Sequence, residues 1–381
     1  MESQKKINIP LKGTNSNTTE KKIYDFLLNK KIIYRNISTG NISTIKNIQN
    51  CKTPNSGSVQ NITVCEKKTY KGPVKTNYIN HFKLKIDPIK KIIDVDSNTM
   101  NLFIQKIINE LYLNNKINKN IKIEHFLRII NNNNKKKKQA KYLMEGTTYS
   151  MNYKNKNNKN QKMNNLYEYI INIINKLDND NVELFNKNID LFVKWIKDIF
   201  EALDILYKKI KFHHCDPKAA QLFIDGDITK NNFTINVQKI VLADLDKVTF
   251  SVKLNNECYR VLTKAFSNYS PIGKSIAEKM RPEEKARVSN IFEKACFLVS
   301  ILLAIKNDKF YIQLLNRLFE ENKIFIEIYK SINKVKFFYN KTKNTKSHKK
   351  ASECIDEESL YKNGKKFINY SNECSIINFQ T

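Results

Sequence analysis

The sequence predicts an α+β fold in two parts, a strand-rich first half followed by a helical second half. Three observations carry that expectation. Over residues 31–86, short β-branched runs alternate with Asn, Ser, Thr, Pro and Gly, the pattern of strands joined by turns. From Leu166 onward, apolar residues recur at helical spacing over 166–177, 189–210, 288–305 and 310–336. The change of character falls near Gly146.

Taken in order, residues 1–20 are polar and aperiodic and read as a disordered arm. Residues 21–146 form the strand-rich part. Within it Ser97 is placed as an N-cap, and Met100, Phe103, Ile104, Ile107, Ile108 and Leu111 line one face of a helix. Apolar runs at 126–130 and 141–144 flank 131–138, a lysine- and asparagine-rich stretch that reads as a solvated loop. Residues 147–340 form the helical part. There Phe192, Trp195, Ile196, Phe200, Leu203 and Leu206 make an apolar stripe that belongs in a core. Residues 341–381 mix charge with few apolar side chains and read as a mostly disordered basic tail.

Composition narrows the class. A chain of 381 residues, 41% hydrophobic, is long enough to bury a substantial core. A formal charge of +30 would attract nucleic acid, anionic lipid or acidic protein surfaces. Heavy use of Lys, Asn and Ile is also what AT-rich coding produces, and no aromatic-basic motif for nucleic-acid recognition is visible. The seven cysteines, at 51, 65, 215, 258, 296, 354 and 374, form no CxxC pair. Reduced thiols, no structural zinc and an intracellular setting, cytoplasmic or nuclear, are expected. The polar amino terminus shows no signal peptide. The longest apolar run, 295–305, is far shorter than the ~20 residues of a membrane span.

Residues 213–224, HHCDPKAAQLFI, hold the chemistry. They set Asp216, Lys218 and Gln221 on one tight polar stretch directly before an apolar, strand-like run. Further on, IVLADLD at 240–246 puts Asp244 just after a second apolar run. The first spacing resembles the catalytic loop of the protein kinase-like superfamily, His-Arg-Asp-x-Lys-x-x-Asn, and the second resembles its Asp-Phe-Gly motif. The resemblance spans about residues 50–335 and implies a two-lobe fold, a strand-rich N-lobe at 21–146 and a mainly helical C-lobe at 147–340. ATP and magnesium would bind at the cleft between the lobes.

The resemblance implies a role for each residue. Asp216 would take the proton of the acceptor hydroxyl, and Lys218 would offset charge on the transferred phosphoryl group. Lys218 also points to the serine/threonine class. Asp244 would hold the main metal, and Gln221 stands where an asparagine normally holds a second. In YLMEGT at 142–147, Met144 would be the gatekeeper, with the Glu145 carbonyl and Thr147 amide meeting the adenine edge. Glu110 would pair with a strand lysine, either Lys83 or Lys85 in HFKLKI, with Lys85 preferred. Gly57 in SGSV is what remains of the glycine-rich loop. Arg281, Pro282 and Glu283 match the close of the activation segment, and Glu293 starts the following buried helix. His214 is expected to brace the loop through the backbone. Cys215 replaces the arginine that meets an activating phosphate, so no such switch is expected.

Three departures from the family pattern stand out. Gln221 is longer than asparagine, Asp246 stands where glycine is usual, and 28 positions separate Asp216 from Asp244. The Asp225-Gly226 turn and the polar stretch to Asn232 would absorb that surplus as a hairpin loop. These features leave two expectations, a divergent serine/threonine-type protein kinase acting on a protein substrate, or a pseudokinase that keeps the fold as an interaction scaffold.

Overall fold

The computed structural model describes residues 6–11, 18–28, 34–35, 42–43, 49–52, 62–67, 70–79, 84–117, 126–131, 140–145, 151–154, 160–163, 165–178, 180–228, 235–263, 290–321 and 374–381. The strands are β1 (Ile7–Pro10), β2 (Tyr34–Arg35), β3 (Ile42–Ser43), β4 (Gln49–Lys52), β5 (Ile62–Lys67), β6 (Tyr70–Ile79), β7 (Leu84–Asp87) and β8 (Ile92–Val95). They continue with β9 (Phe126–Asn131), β10 (Ala140–Glu145), β11 (Met151–Lys154), β12 (Asn160–Met163), β13 (Leu222–Ile228), β14 (Ile235–Leu242), β15 (Phe250–Leu254), β16 (Glu257–Thr263) and β17 (Ile377–Gln380). The helices are α1 (Thr19–Leu28), α2 (Ser97–Leu113), α3 (Leu166–Asn172), α4 (Val182–Ile210), α5 (Asn290–Ala304) and α6 (Asp308–Glu321).

The chain is mixed α and β. A mostly parallel six-stranded sheet runs β1-β17-β15-β16-β8-β7, and a five-stranded antiparallel sheet runs β4-β5-β6-β10-β9. Helix α2 forms where its spacing predicted, with Met100, Phe103, Ile104, Ile107, Ile108 and Leu111 fully buried. Phe103 meets Phe250 edge-on at 5.3 Å, which seats the helix on the six-stranded sheet. The N-cap is Asp96 rather than Ser97. Its carboxylate accepts from Thr99 N at 2.8 Å, a better acceptor for an orphan N–H than a hydroxyl one residue later. Helix α4 starts seven residues before the expected stripe, capped by Asn181. Trp195 packs edge-on to Tyr169 of α3 at 5.7 Å, and Phe192 packs edge-on to Phe310 of α6 at 5.3 Å.

Several boundaries differ from the expectation. Strands β15 and β16 lie inside the stretch expected to be helical, yet they sit in the middle of the six-stranded sheet. They form a tight hairpin in which Asn255 (φ 50°) and Asn256 (φ 69°) are both left-handed, the geometry that suits strand twist and tolerates asparagine. Both ends of the chain, expected to be disordered, carry strands. Ile7 pairs with Ile377 and Ile9 with Phe379 in parallel register, and all four side chains are buried. Four-residue apolar alternations in polar surroundings give no readable period alone; the neighbouring strands supply the burial that orders them.

Thiol chemistry differs too. Cys258 and Cys374 form a disulfide, where reduced thiols were expected, while Cys215 and Cys296 are buried thiols outside any disulfide. The two bonded cysteines lie 116 positions apart and meet only because β17 docks beside β15, so spacing could not reveal the pair. The bond removes the ground on which a reducing compartment was expected. No helix among the described residues is long and apolar enough to cross a membrane.

Candidate active site

Helix α4 delivers the chain to the site. It ends at Lys211 in a left-handed conformation (φ 54°, ψ 42°), its N–H donating to Tyr207 O. His213 then pairs with Thr249 through backbone hydrogen bonds of 2.8 Å in each direction. The His214 ring bridges two segments. Its Nε2 lies 2.8 Å from Ala243 O, and its Nδ1 accepts from Asp216 N at 3.3 Å, which one tautomer protonated at Nε2 satisfies. Cys215 is left-handed (φ 61°) and donates its N–H to the buried Glu293 Oε1 of α5 at 2.9 Å. Asp216 thus stands on a loop held from three sides.

A β-hairpin closes the distance to the second acid. After Gln221 the chain enters β13, which pairs with β14 from Leu222 opposite Leu242 to Ile228 opposite Ile235. The expected hairpin is present, but Asp225 and Gly226 lie within β13, where the register shifts between them, and not at its turn. Ala243 N donates to Gln221 O at 3.0 Å and seals the hairpin base. Residues 216–221 and 243–247 therefore become neighbours despite the long sequence gap. The left-handed residue of the second arm is Asp244 (φ 63°), not Asp246, and fully buried Leu245 anchors the turn.

The two arms meet on one oxygen. Asp216 Oδ2 accepts from Lys247 Nζ at 2.9 Å, Lys218 Nζ at 3.0 Å and Gln221 Nε2 at 3.1 Å. The same Gln221 Nε2 reaches Asp244 Oδ2 at 2.5 Å. Burial opposes ionisation of Asp216, but the Lys247 hydrogen bond and the charges of both lysines outweigh it and hold the carboxyl below its usual range. Asp246 goes the other way, pushed up to about 7 by burial and then by the charge of Asp244. Lys247 is raised: its contact with Asp216 and the nearby acids overcome the effect of burial. The cluster holds three acids and two lysines, and Asp216 is the acid it keeps ionised.

The remaining expected site residues are dispersed or undescribed. Lys85 is exposed on β7, an edge strand, opposite Asp94. Glu110 is half-buried on α2 beside Lys106, and no ion pair among the described residues joins it to Lys85. Met144 and Glu145 are the last two residues of β10. Gly57, Lys83, Thr147 and residues 281–283 lie outside the described residues. The sequence reading missed Lys247. A cation immediately after ADLD was its only signal, and nothing in the spacing told which acid it would meet.

Magnesium and a nucleotide would need oxygen ligands that the protein leaves free. Among the described residues, no group of three or more His, Cys, Asp or Glu side chains is arranged to hold a metal ion. Magnesium does not require one, since it commonly takes one or two carboxylates with phosphate oxygens and water. The buried Oδ1 atoms of Asp216 and Asp246 have no hydrogen-bond partner among the described residues. Such oxygens are costly to leave bare and fit a cation brought in with its phosphates. No protein-family model matches this chain, and the search of curated proteins returned no relative.

Proposed function

We propose that this chain is a divergent serine/threonine-type protein kinase, two-lobed, transferring the γ-phosphoryl group of ATP to a hydroxyl of a protein substrate. One observation carries the reading: Asp216, Lys218, Gln221 and Asp244, picked out by spacing, converge within hydrogen-bond distance at the base of one hairpin. Asp216 is ionised and accepts the hydroxyl proton, and its fixed loop orients that hydroxyl. Lys218, partly exposed beside it, offsets charge on the phosphoryl oxygens as they separate from the leaving group. Magnesium, when bound, would neutralise the phosphates, with Asp244 as its protein anchor and the Gln221 side next to it.

Lys85, the strand lysine preferred on sequence, stands on β7 of the six-stranded sheet, whereas Met144 and Glu145 end β10 of the five-stranded sheet. Lys85→Ala is expected to leave KM for ATP within about twofold, read from initial rates.

A scaffold reading has one observation in its favour: three donors already occupy Asp216 Oδ2, which leaves only its buried Oδ1 to accept a proton from substrate. Magnesium-dependent ATP turnover by the purified full chain decides between the two. Turnover that falls at least 10³-fold in Asp216→Ala supports the kinase. Equal turnover in the two proteins removes it, and ATP-stabilised melting without turnover leaves the scaffold.

A further inference from the structure

In the superfamily pattern, an amide on the catalytic loop and a glycine after the metal-binding aspartate go together. Here both are changed, to Gln221 and Asp246, and the geometry links the two changes. Gln221 turns its amide nitrogen to two carboxylates, Asp216 Oδ2 at 3.1 Å and Asp244 Oδ2 at 2.5 Å. An ionised carboxylate only accepts, so the amide must present its N–H₂ to both, and its oxygen faces away from the pair. Serving as a metal ligand would require breaking both bonds and reversing the amide.

Asp246 offers what Gln221 does not. It is 9% exposed, and its Oδ1 is buried without a partner among the described residues. Its nearest charged neighbours are Asp244, Lys247 and Asp216, and its carboxyl shares a side-chain hydrogen bond with Asp244. The left-handed Asp244 and the buried Leu245 between them bring both acids to one side of the turn. Asp216 Oδ1, also bare and fully buried, belongs to the same cluster. Asp246, with a bare buried oxygen, and Asp244 beside it form a hard-cation site of the kind magnesium accepts.

We propose that Asp244 and Asp246 together form the divalent-cation site of this cluster, and that Gln221 is a clamp joining Asp216 to Asp244 rather than a metal ligand. Both carboxylates would hold the cation, which would supply positive charge to nucleotide phosphate when bound. The assignment rests on the phosphotransferase reading for its nucleotide, but not for the metal itself.

The test is calorimetric titration of the chelator-treated full chain with Mn²⁺ alone, then with Mn²⁺ and ADP. Asp246→Asn, nearly isosteric, is expected to weaken Mn²⁺ at least tenfold, and Asp246→Gly to do the same if the asparagine variant fails to fold. Gln221→Leu is expected to keep Mn²⁺ affinity within about threefold while lowering turnover, because Asp216 loses a donor. Mn²⁺ affinity unchanged in both Asp246 variants, an equal loss in Gln221→Leu, or no Mn²⁺ binding by the wild-type chain each overturns the proposal. Mn²⁺ binding that depends on Asp246 in a chain without ATP turnover upholds the cation site while removing the kinase reading.

Discussion

Cys215 shows how much of the loop that presents Asp216 is built at single atoms. Its backbone is left-handed, which a side chain with a Cβ resists, and its N–H is satisfied by the carboxylate of Glu293, seventy-eight positions away. The second oxygen of Glu293 lies 3.6 Å from His213 Nδ1, beyond hydrogen-bond range, so the acid holds Cys215 directly and only approaches His213. Removing it strands a buried N–H, at a cost of roughly 1–3 kcal/mol. Glu293→Ala should therefore lower the urea midpoint of unfolding and slow turnover, while Glu293→Gln, which keeps an acceptor oxygen, should recover most of both. An alanine variant as stable and as fast as wild type would show that the brace does not hold the loop. The sequence made Asp216, Lys218, Gln221 and Asp244 legible because their roles sit at fixed short spacings from an apolar strand. Lys247 and the brace from Glu293 were not legible as contacts, since they arise from a hairpin closure and from a helix arriving from far along the chain.

Among the elements, α2 was the most readable, because seventeen residues of apolar recurrence leave a helix as the economical reading. The β15 and β16 hairpin was less so. Its strands are short, and the Asn255-Asn256 turn is the only local sign of it. Helix α2 also holds an expense that periodicity hides. Lys106 lies on its buried face, 5.7 Å from the centre of the Phe26 ring of α1. Burial lowers its pKa to about 8, with the charge of Glu110 one turn on opposing the shift only in part. The sign of the pH effect follows. Between about 8 and the ordinary 10.5, the unfolded chain binds the proton and the folded chain does not, so this group's contribution to stability rises with pH across that window. Below about 8 the folded state carries the full cost of a buried charge, on the order of 3 kcal/mol. Lys106→Met should raise stability near pH 7, and its advantage over wild type should shrink as pH rises through the window. Parallel stability curves for the two proteins from pH 7 to 10.5 would refute this account.

On the scale of the whole molecule, the six-stranded sheet ties the ends of the chain to the root of the loop that carries Asp216. Strand β17 lies between β1 and β15, so the last residues of the chain complete a sheet begun by the first. Ile376 N donates to Lys209 O at the end of α4, and Arg260 Nη1 of β16 donates to Lys211 O at 2.9 Å, just before His213 and Asp216. The disulfide from Cys258 to Cys374 fastens this terminal strand to β16. This architecture was the least legible part of the sequence, because it is made by pairings between segments hundreds of positions apart whose own patterns are weak. Closing a loop of this length removes chain entropy from the unfolded state, by roughly 2–5 kcal/mol. Reduction should consequently lower the urea midpoint of the wild-type chain, whereas Cys374→Ser should start from the lower midpoint and ignore reductant. Since the terminal strand reaches the loop root through the sheet and the Ile376–Lys209 hydrogen bond, neither of which touches Asp216, either change should weaken turnover less than it weakens stability. Deleting residues 374–381, which removes the strand itself and exposes Ile7, Ile9 and Phe103, should abolish both. A deletion variant that folds with the wild-type midpoint would mean that the helices around the Asp216 loop stand without the sheet.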